Sequence, residues 1–286
     1  MITPGKKVLI IVGMHRSGTS LVTQWLYKCG LHVGDHLMEA SIANVQGHFE
    51  DLDFVNAHVN MLRKKRLKAS GLTVYNIDNI DEQNKAELKK IIQQKNKEHD
   101  EWGWKDPRTC LFLDTYAALI PRAFYLVVIR NFEETISSLI ARQYKESVKK
   151  YQHKKGVSKW IWEFYKKKRR MHSLCKQYAA FYLKVWIHYN EQILRLLKTL
   201  PETRYMVVHS ALLAENDTEV YAHLTNVWNF SLHYYSFNNV YTASLWGNKA
   251  DVLSYIKDKQ LLARAYGLQQ ELQNYSTVLE PVLLNY

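Results

Sequence analysis

The chain has 286 residues, of which 47% are hydrophobic and 23% charged, which is enough apolar material for a sizeable core and excludes wholesale disorder. Its formal net charge of +12 points to an anionic partner, whether a nucleotide, an acidic polymer, a nucleic acid or an acidic membrane surface. Three widely spaced cysteines, Cys29, Cys110 and Cys175, form no CxxC pair, so neither a disulfide framework nor a thiolate zinc site is expected, and reduced thiols in a cytoplasmic protein are.

The run Lys7 to Val12 is apolar and β-branched and ends at Gly13, as suits a strand buried on both faces; it is too short for a secretory leader. No stretch reaches the roughly 18 apolar residues of a membrane span. From Thr19 to Lys28, Leu21, Val22, Trp25 and Leu26 fall at helical spacing, and Gly30 ends the pattern. Phe54, Val55, His58, Val59 and Leu62 mark a second helix. Residues 81–99 are rich in Lys and Glu and read as an exposed helix or excursion. Phe124 to Ile129 repeats the buried-strand pattern, and Ile136, Leu139 and Ile140 follow it with a helical period.

The segment 149–170 is strongly basic and runs into a long aromatic-rich helical pattern ending near Lys198; Pro201 closes it, and Tyr205 to Val208 supplies a third strand. Strands alternating with helices predict an α/β fold, a P-loop-like and mostly parallel central sheet flanked by helices, with helical insertions. One domain is expected over residues 1–286, with the basic, aromatic-rich insertion at about 146–200.

Gly13-Met14-His15-Arg16-Ser17-Gly18-Thr19-Ser20 has the length and placement of a phosphate-cradling loop, whose backbone N–H groups and following helix N-terminus bind phosphate oxygens. The plain alternative is a strand-to-helix turn. The nucleotide triphosphatase motif needs lysine where this chain has Thr19, and the cation has moved forward to Arg16, which argues against a magnesium-clamped triphosphate.

The loop resembles the 5′-phosphosulfate-binding loop of sulfotransferases that use 3′-phosphoadenosine 5′-phosphosulfate (PAPS), in which a basic residue precedes Ser-Gly-Thr-[Ser/Thr]. Three further blocks are similar to that family. They are Asn44-Val45-Gln46-Gly47-His48-Phe49-Glu50-Asp51, the bacterial Gly-[Tyr/His]-Phe-Glu-[Asp/Asn] block with Val45 in place of a common proline; Trp104-Lys105-Asp106-Pro107-Arg108; and Arg130 followed by Ser138. Where the family has Arg-[Asn/Asp]-Pro, this chain reads Arg130-Asn131-Phe132, which implies a less rigid helix start.

The resemblance implies a sulfotransferase that moves a sulfuryl group from PAPS to a hydroxyl or amine by in-line displacement, releasing 3′-phosphoadenosine 5′-phosphate (PAP). It implies a donor site built from His15, Arg16, Ser17, Gly18, Thr19 and Ser20, with Arg130 and Ser138 on the 3′-phosphate. Lys105 and Arg16 then act on the leaving phosphate. No histidine lies beside Lys105, and the carbohydrate-acting branch places its base after the first helix, where Glu50 stands, with Asp51 as the substitute; the plain alternative is that Glu50, Asp51 and Asp53 cap the helix that follows.

No metal is expected: there is no HExxH, and His32 and His36 flank Gly34 in an expected loop. The expected acceptor is a small molecule, a glycan or a lipid. The enzymatic alternative is a P-loop kinase or hydrolase with a degenerate lysine. The non-catalytic one is a basic nucleic-acid-binding protein, although no nucleic acid is expected without a helix-turn-helix, zinc-finger or aromatic RNA-binding signature. The basic stretch of 149–170 can receive an anionic acceptor or rest peripherally on an acidic membrane, or it is a solvated helix with its aromatic side on the core.

Overall fold

The computed structural model describes residues 6–38, 49–77, 80–152, 155–241 and 250–276. Its centre is a parallel sheet of four strands, β1 (Lys7–Val12), β2 (Glu101–Lys105), β3 (Phe124–Ile129) and β4 (Tyr205–His209), in the order β2-β1-β3-β4. The register pairs Ile11 with Lys105, Val12 with Val127, and Ile129 with His209, so all four strands end on one edge. An α/β fold with a parallel sheet therefore stands as the sequence predicts.

The unbroken apolar character of β1 and β3 follows from burial on both faces. Val8, Ile10, Val12, Tyr125, Val127 and Ile129 join one core, while Leu9, Ile11, Leu126 and Val128 join the other. Over the first face lie α2 (Leu52–Lys64), α4 (Leu113–Leu119), α5 (Phe132–Gln152), α7 (Lys167–Thr199) and α9 (Lys259–Gln273), which contribute Phe54, Tyr116, Ile136, Trp186 and Leu268. Over the second lie α1 (Thr19–Lys28) and α8 (Leu213–Ala222), contributing Val22, Trp25, Leu26 and Val220.

The segment read as exposed is α3 (Glu82–Glu98), and it is not wholly so: Leu88, Ile92 and Lys95 are buried. Strand β2, which the apolar pattern does not reveal, is an edge strand of sequence Glu-Trp-Gly-Trp-Lys. Its Trp104 stacks on Phe54 of α2 with ring centroids 4.2 Å apart and planes 6° apart. That stack fixes the start of α2 against the end of β2, where Glu50 and Lys105 stand.

Beyond α5, a short α6 (Val157–Ile161) and a π-helical turn (Trp162–Lys166) lead into α7. From Leu174 onward α7 belongs to the central core. The helix start at Phe132 is firmly held: its side chain is buried against Trp186 and Tyr266, and its N–H donates to Gln269 Oε1 at 3.0 Å. Proline has no N–H to make that bond, so the departure from the family pattern comes with an anchor of its own. Among the described residues no helix is long and apolar enough to cross a membrane.

Candidate active site

In an open parallel sheet, ligands bind beyond the carboxyl ends of the strands. On that edge lie Gly13 to Gly18 after β1, Lys105 at the end of β2, Arg130 after β3 and Ser210 after β4. The loop after β1 packs tightly. A Cβ on Gly13 would stand 2.6 Å from the Val128 carbonyl oxygen and 2.7 Å from Ser17 Oγ, so only glycine fits. Gly18, with φ +102°, turns the chain into α1, and a Cβ there would stand 2.9 Å from Ser210 Cβ. Arg16 also has positive φ, 68°, a conformation that a non-glycine residue adopts at a cost.

Two groups of side chains meet at this loop. In the first, Arg16 Nε donates to Ser138 Oγ at 2.9 Å, and Arg130 Nη1 donates to the Arg16 carbonyl oxygen at 3.0 Å. Arg130 Nε donates to Glu134 Oε2, also at 3.0 Å. Burial, with Arg142 and Arg130 nearby, pushes the Arg16 guanidinium down to about 10, so it stays charged at neutral pH. Burial also lowers Arg130, against the opposing pull of Glu134. The clustered cations favour anion binding.

In the second group Lys105 Nζ donates to Ser20 Oγ at 3.1 Å and to Glu50 Oε1 at 2.8 Å. Arg108 Nη2 approaches Glu50 Oε2 at 3.3 Å. Burial lowers the Lys105 ammonium from its ordinary value, and Glu50 works against that loss. Arg108 is itself clamped by Asp106, with Nε 2.8 and 3.0 Å from the two carboxylate oxygens. Asp106 caps the 3₁₀ turn Pro107–Phe112 through Arg108 N–H, and His58 Nδ1 lies 2.7 Å from its other oxygen. Burial pushes Asp106 up, but His58 and Arg108 outweigh it and hold the carboxyl well below the usual carboxylate range.

The neighbouring acids divide their work. Asp51, 1% exposed, caps α2 by accepting from Asp53 N–H at 3.0 Å and meets Lys95 Nζ at 2.8 Å; Asp53 meets the same ammonium at 2.9 Å, and Asp35 completes the shell. The capping alternative therefore describes Asp51, while Glu50 faces Lys105 and Arg108. Residues Asn44 to His48, the front of that block, lie outside the described residues.

Side chains of metal-ligating type also gather as His32, Asp35 and His99, and as Asp35, Asp51 and Asp53. The Lys95 ammonium fills the second group. In the first, the imidazoles stack with centroids 3.6 Å apart and planes 20° apart. An ion bound by both must lie in both ring planes, which near-parallel stacked rings do not allow.

Three buried polar atoms around the loop have no hydrogen-bond partner among the described residues: His15 Nε2, Ser17 Oγ and Ser210 Oγ. Buried polar groups are nearly always paired, so their gathering at one loop favours a bound anion. Burial, then Arg108, pushes His15 down to about 3, so its imidazole is neutral at physiological pH.

Sequence reading did not single out Ser210, Arg142 or Arg108 as site residues. Ser210 had a signal in its place directly after β4, in register with Arg130. Arg142 lies four residues beyond Ser138 on α5, one helical turn, which also places it near the loop.

A family model described as "Sulfotransferase family" matches residues 9–200. Among solved structures, the chain is similar to the sulfotransferase domain from the curacin biosynthetic pathway, with 13% identity, a TM-score of 0.49, and coverage of 96% of this chain and 99% of that one. It is also similar to the sulfotransferase domain from the Synechococcus PCC 7002 olefin synthase, with 16% identity, a TM-score of 0.43, and coverage of 99% and 93%. No curated protein matches.

Proposed function

The chain belongs to the sulfotransferase family, and from that premise we propose that it transfers a sulfuryl group from PAPS to a hydroxyl or amine by in-line displacement, as a single cytoplasmic domain. The observation that carries the choice of donor is the loop Gly13 to Ser20, which contains Arg16, is flanked by Lys105 and Arg130, and is lined by three buried polar atoms without a partner among the described residues. PAPS offers a 5′-phosphosulfate for the loop and Lys105, and a 3′-phosphate for Arg130 and Ser138. The bond between Arg16 and Ser138 joins the two halves, so Arg16 can reach either anion.

The acceptor oxygen or nitrogen attacks sulfur on the side opposite the bridging oxygen. A new O–S or N–S bond forms, the S–O bond to the 5′-phosphate breaks, the acceptor proton passes to Glu50, and PAP leaves with the added negative charge. Lys105 and Arg16 are the cations placed to stabilise that charge, and the α1 N-terminus adds its N–H groups. Each Glu50 oxygen meets one cation and keeps lone-pair capacity for a proton. The buried, free thiols Cys29, Cys110 and Cys175 fit a reducing compartment.

Thermal unfolding in the presence of EDTA tests the reading. PAP is expected to raise Tm without any divalent ion. Stabilisation by ATP only in the presence of magnesium supports a kinase instead, and stabilisation by DNA or RNA alone supports a nucleic-acid-binding protein.

A further inference from the structure

The reading above leaves unused the most basic part of the chain. Residues 149–170 hold ten of the 39 lysines and arginines and a single acid, Glu163. The described residues among them belong to the end of α5, α6, the π-helical segment and the start of α7. Here the side chains depart from the solvated-helix pattern. Val157, Trp160, Ile161 and Tyr165 are 72%, 53%, 37% and 57% exposed, an unusual density of large apolar groups on a protein surface.

The π turn sorts the aromatic side chains. Trp162 is buried and stacks on Tyr151 with ring centroids 4.1 Å apart, while Trp160 points outward and meets Tyr165 edge-on at 5.8 Å. Tyr165 also borders a cleft of about 470 Å³ lined by Lys150, Lys166, Arg169 and Arg170. Exposed apolar side chains thus adjoin a cationic hollow.

We propose that this turn docks the protein peripherally on an anionic lipid bilayer, with Trp160, Ile161 and Tyr165 entering the headgroup region and the cleft receiving lipid phosphates. Charge alone fits any polyanion. The exposed aliphatic and indole groups decide the occupant, because a glycan or nucleic acid offers anions but no apolar layer in which to bury Val157 and Ile161. Indole and phenol rings favour the headgroup boundary, and each Lys or Arg near an acidic surface adds about 1 kcal/mol of attraction. No helix enters deeply; the contact is interfacial and reversible.

Sedimentation of the full chain with sucrose-loaded vesicles tests this. Binding is expected to vesicles of phosphatidylcholine with one third phosphatidylserine and not to phosphatidylcholine alone, and to fall steeply as salt rises. The double variant W160A/Y165A is expected to lose about tenfold or more in vesicle affinity, as follows from removing roughly 1.4 kcal/mol, with unchanged Tm and unchanged PAP binding. Replacing Lys166 and Arg169 with Gln weakens acidic-vesicle binding further. The proposal is overturned if acidic vesicles are not bound at low salt, if both vesicle types bind equally, if heparin binds while vesicles do not, or if W160A/Y165A binds vesicles like the parent chain. Because PAP binding is read separately, failure here leaves the donor site untouched.

Discussion

Glu50 touches both chemical tasks of the site, since it is the proposed base and also holds the buried Lys105. Glu50→Gln should lower turnover by roughly 10²- to 10⁴-fold and leave PAP affinity nearly intact. The pH profile separates the two tasks. If Glu50 serves only to keep Lys105 protonated, its loss lets burial lower Lys105 further, and activity recovers as pH falls; if it is the base, acid gives no recovery. Asp51→Asn should act differently, costing about 1–3 kcal/mol of stability through the weakened Lys95 pair, while turnover of the folded protein stays near normal. His15 gives a stability test. Its folded value of about 3 lies below its ordinary 6.5, so the unfolded chain binds the proton and stability is lost as pH falls below about 6.5. His15→Gln should remove up to one proton from the slope of unfolding free energy against pH between about 4 and 6.

At the scale of elements, the β1-loop-α1 unit was readable because its apolar run, glycines and helical spacing agree with one another. Its packing predicts a contrast between two glycines. Gly13→Ala drives a Cβ to within 2.7 Å of three atoms and should cost about 1–3 kcal/mol in Tm-derived stability. Gly267→Ala, in α9 with nothing within 4 Å, should gain about 0.5–1 kcal/mol. Strand β2 escaped detection because an edge strand of five residues with a central glycine and two tryptophans lacks the β-branched signature. The burial in α3 escaped because Lys95, polar in sequence, is paired inside by three carboxylates. Glu50 and Asp51 are adjacent in sequence and diverge only in space, just ahead of α2, where Glu50 meets the buried ammonium of Lys105 and Asp51 that of Lys95. The folding that brings Ser210 beside Gly18 is likewise a long-range event that no local pattern carries.

At the scale of the whole molecule, the sheet edge gathers the ends of four strands distant in sequence into the one surface proposed to bind the donor, and the +12 charge places the protein's field in favour of a multiply charged anion. The central claim is that this ligand carries phosphate at both ends of an adenosine. Titration calorimetry in EDTA, comparing PAP with adenosine 5′-phosphate on the parent chain and on Arg130→Ala, tests it most directly. The two ligands differ only in the 3′-phosphate. The account predicts that PAP binds the parent chain at least about tenfold more tightly, roughly 1.4 kcal/mol or more, and that Arg130→Ala erases most of that difference while adenosine 5′-phosphate binds both proteins alike. Equal affinity of the parent chain for the two nucleotides, or binding that disappears once divalent ions are chelated, would contradict it.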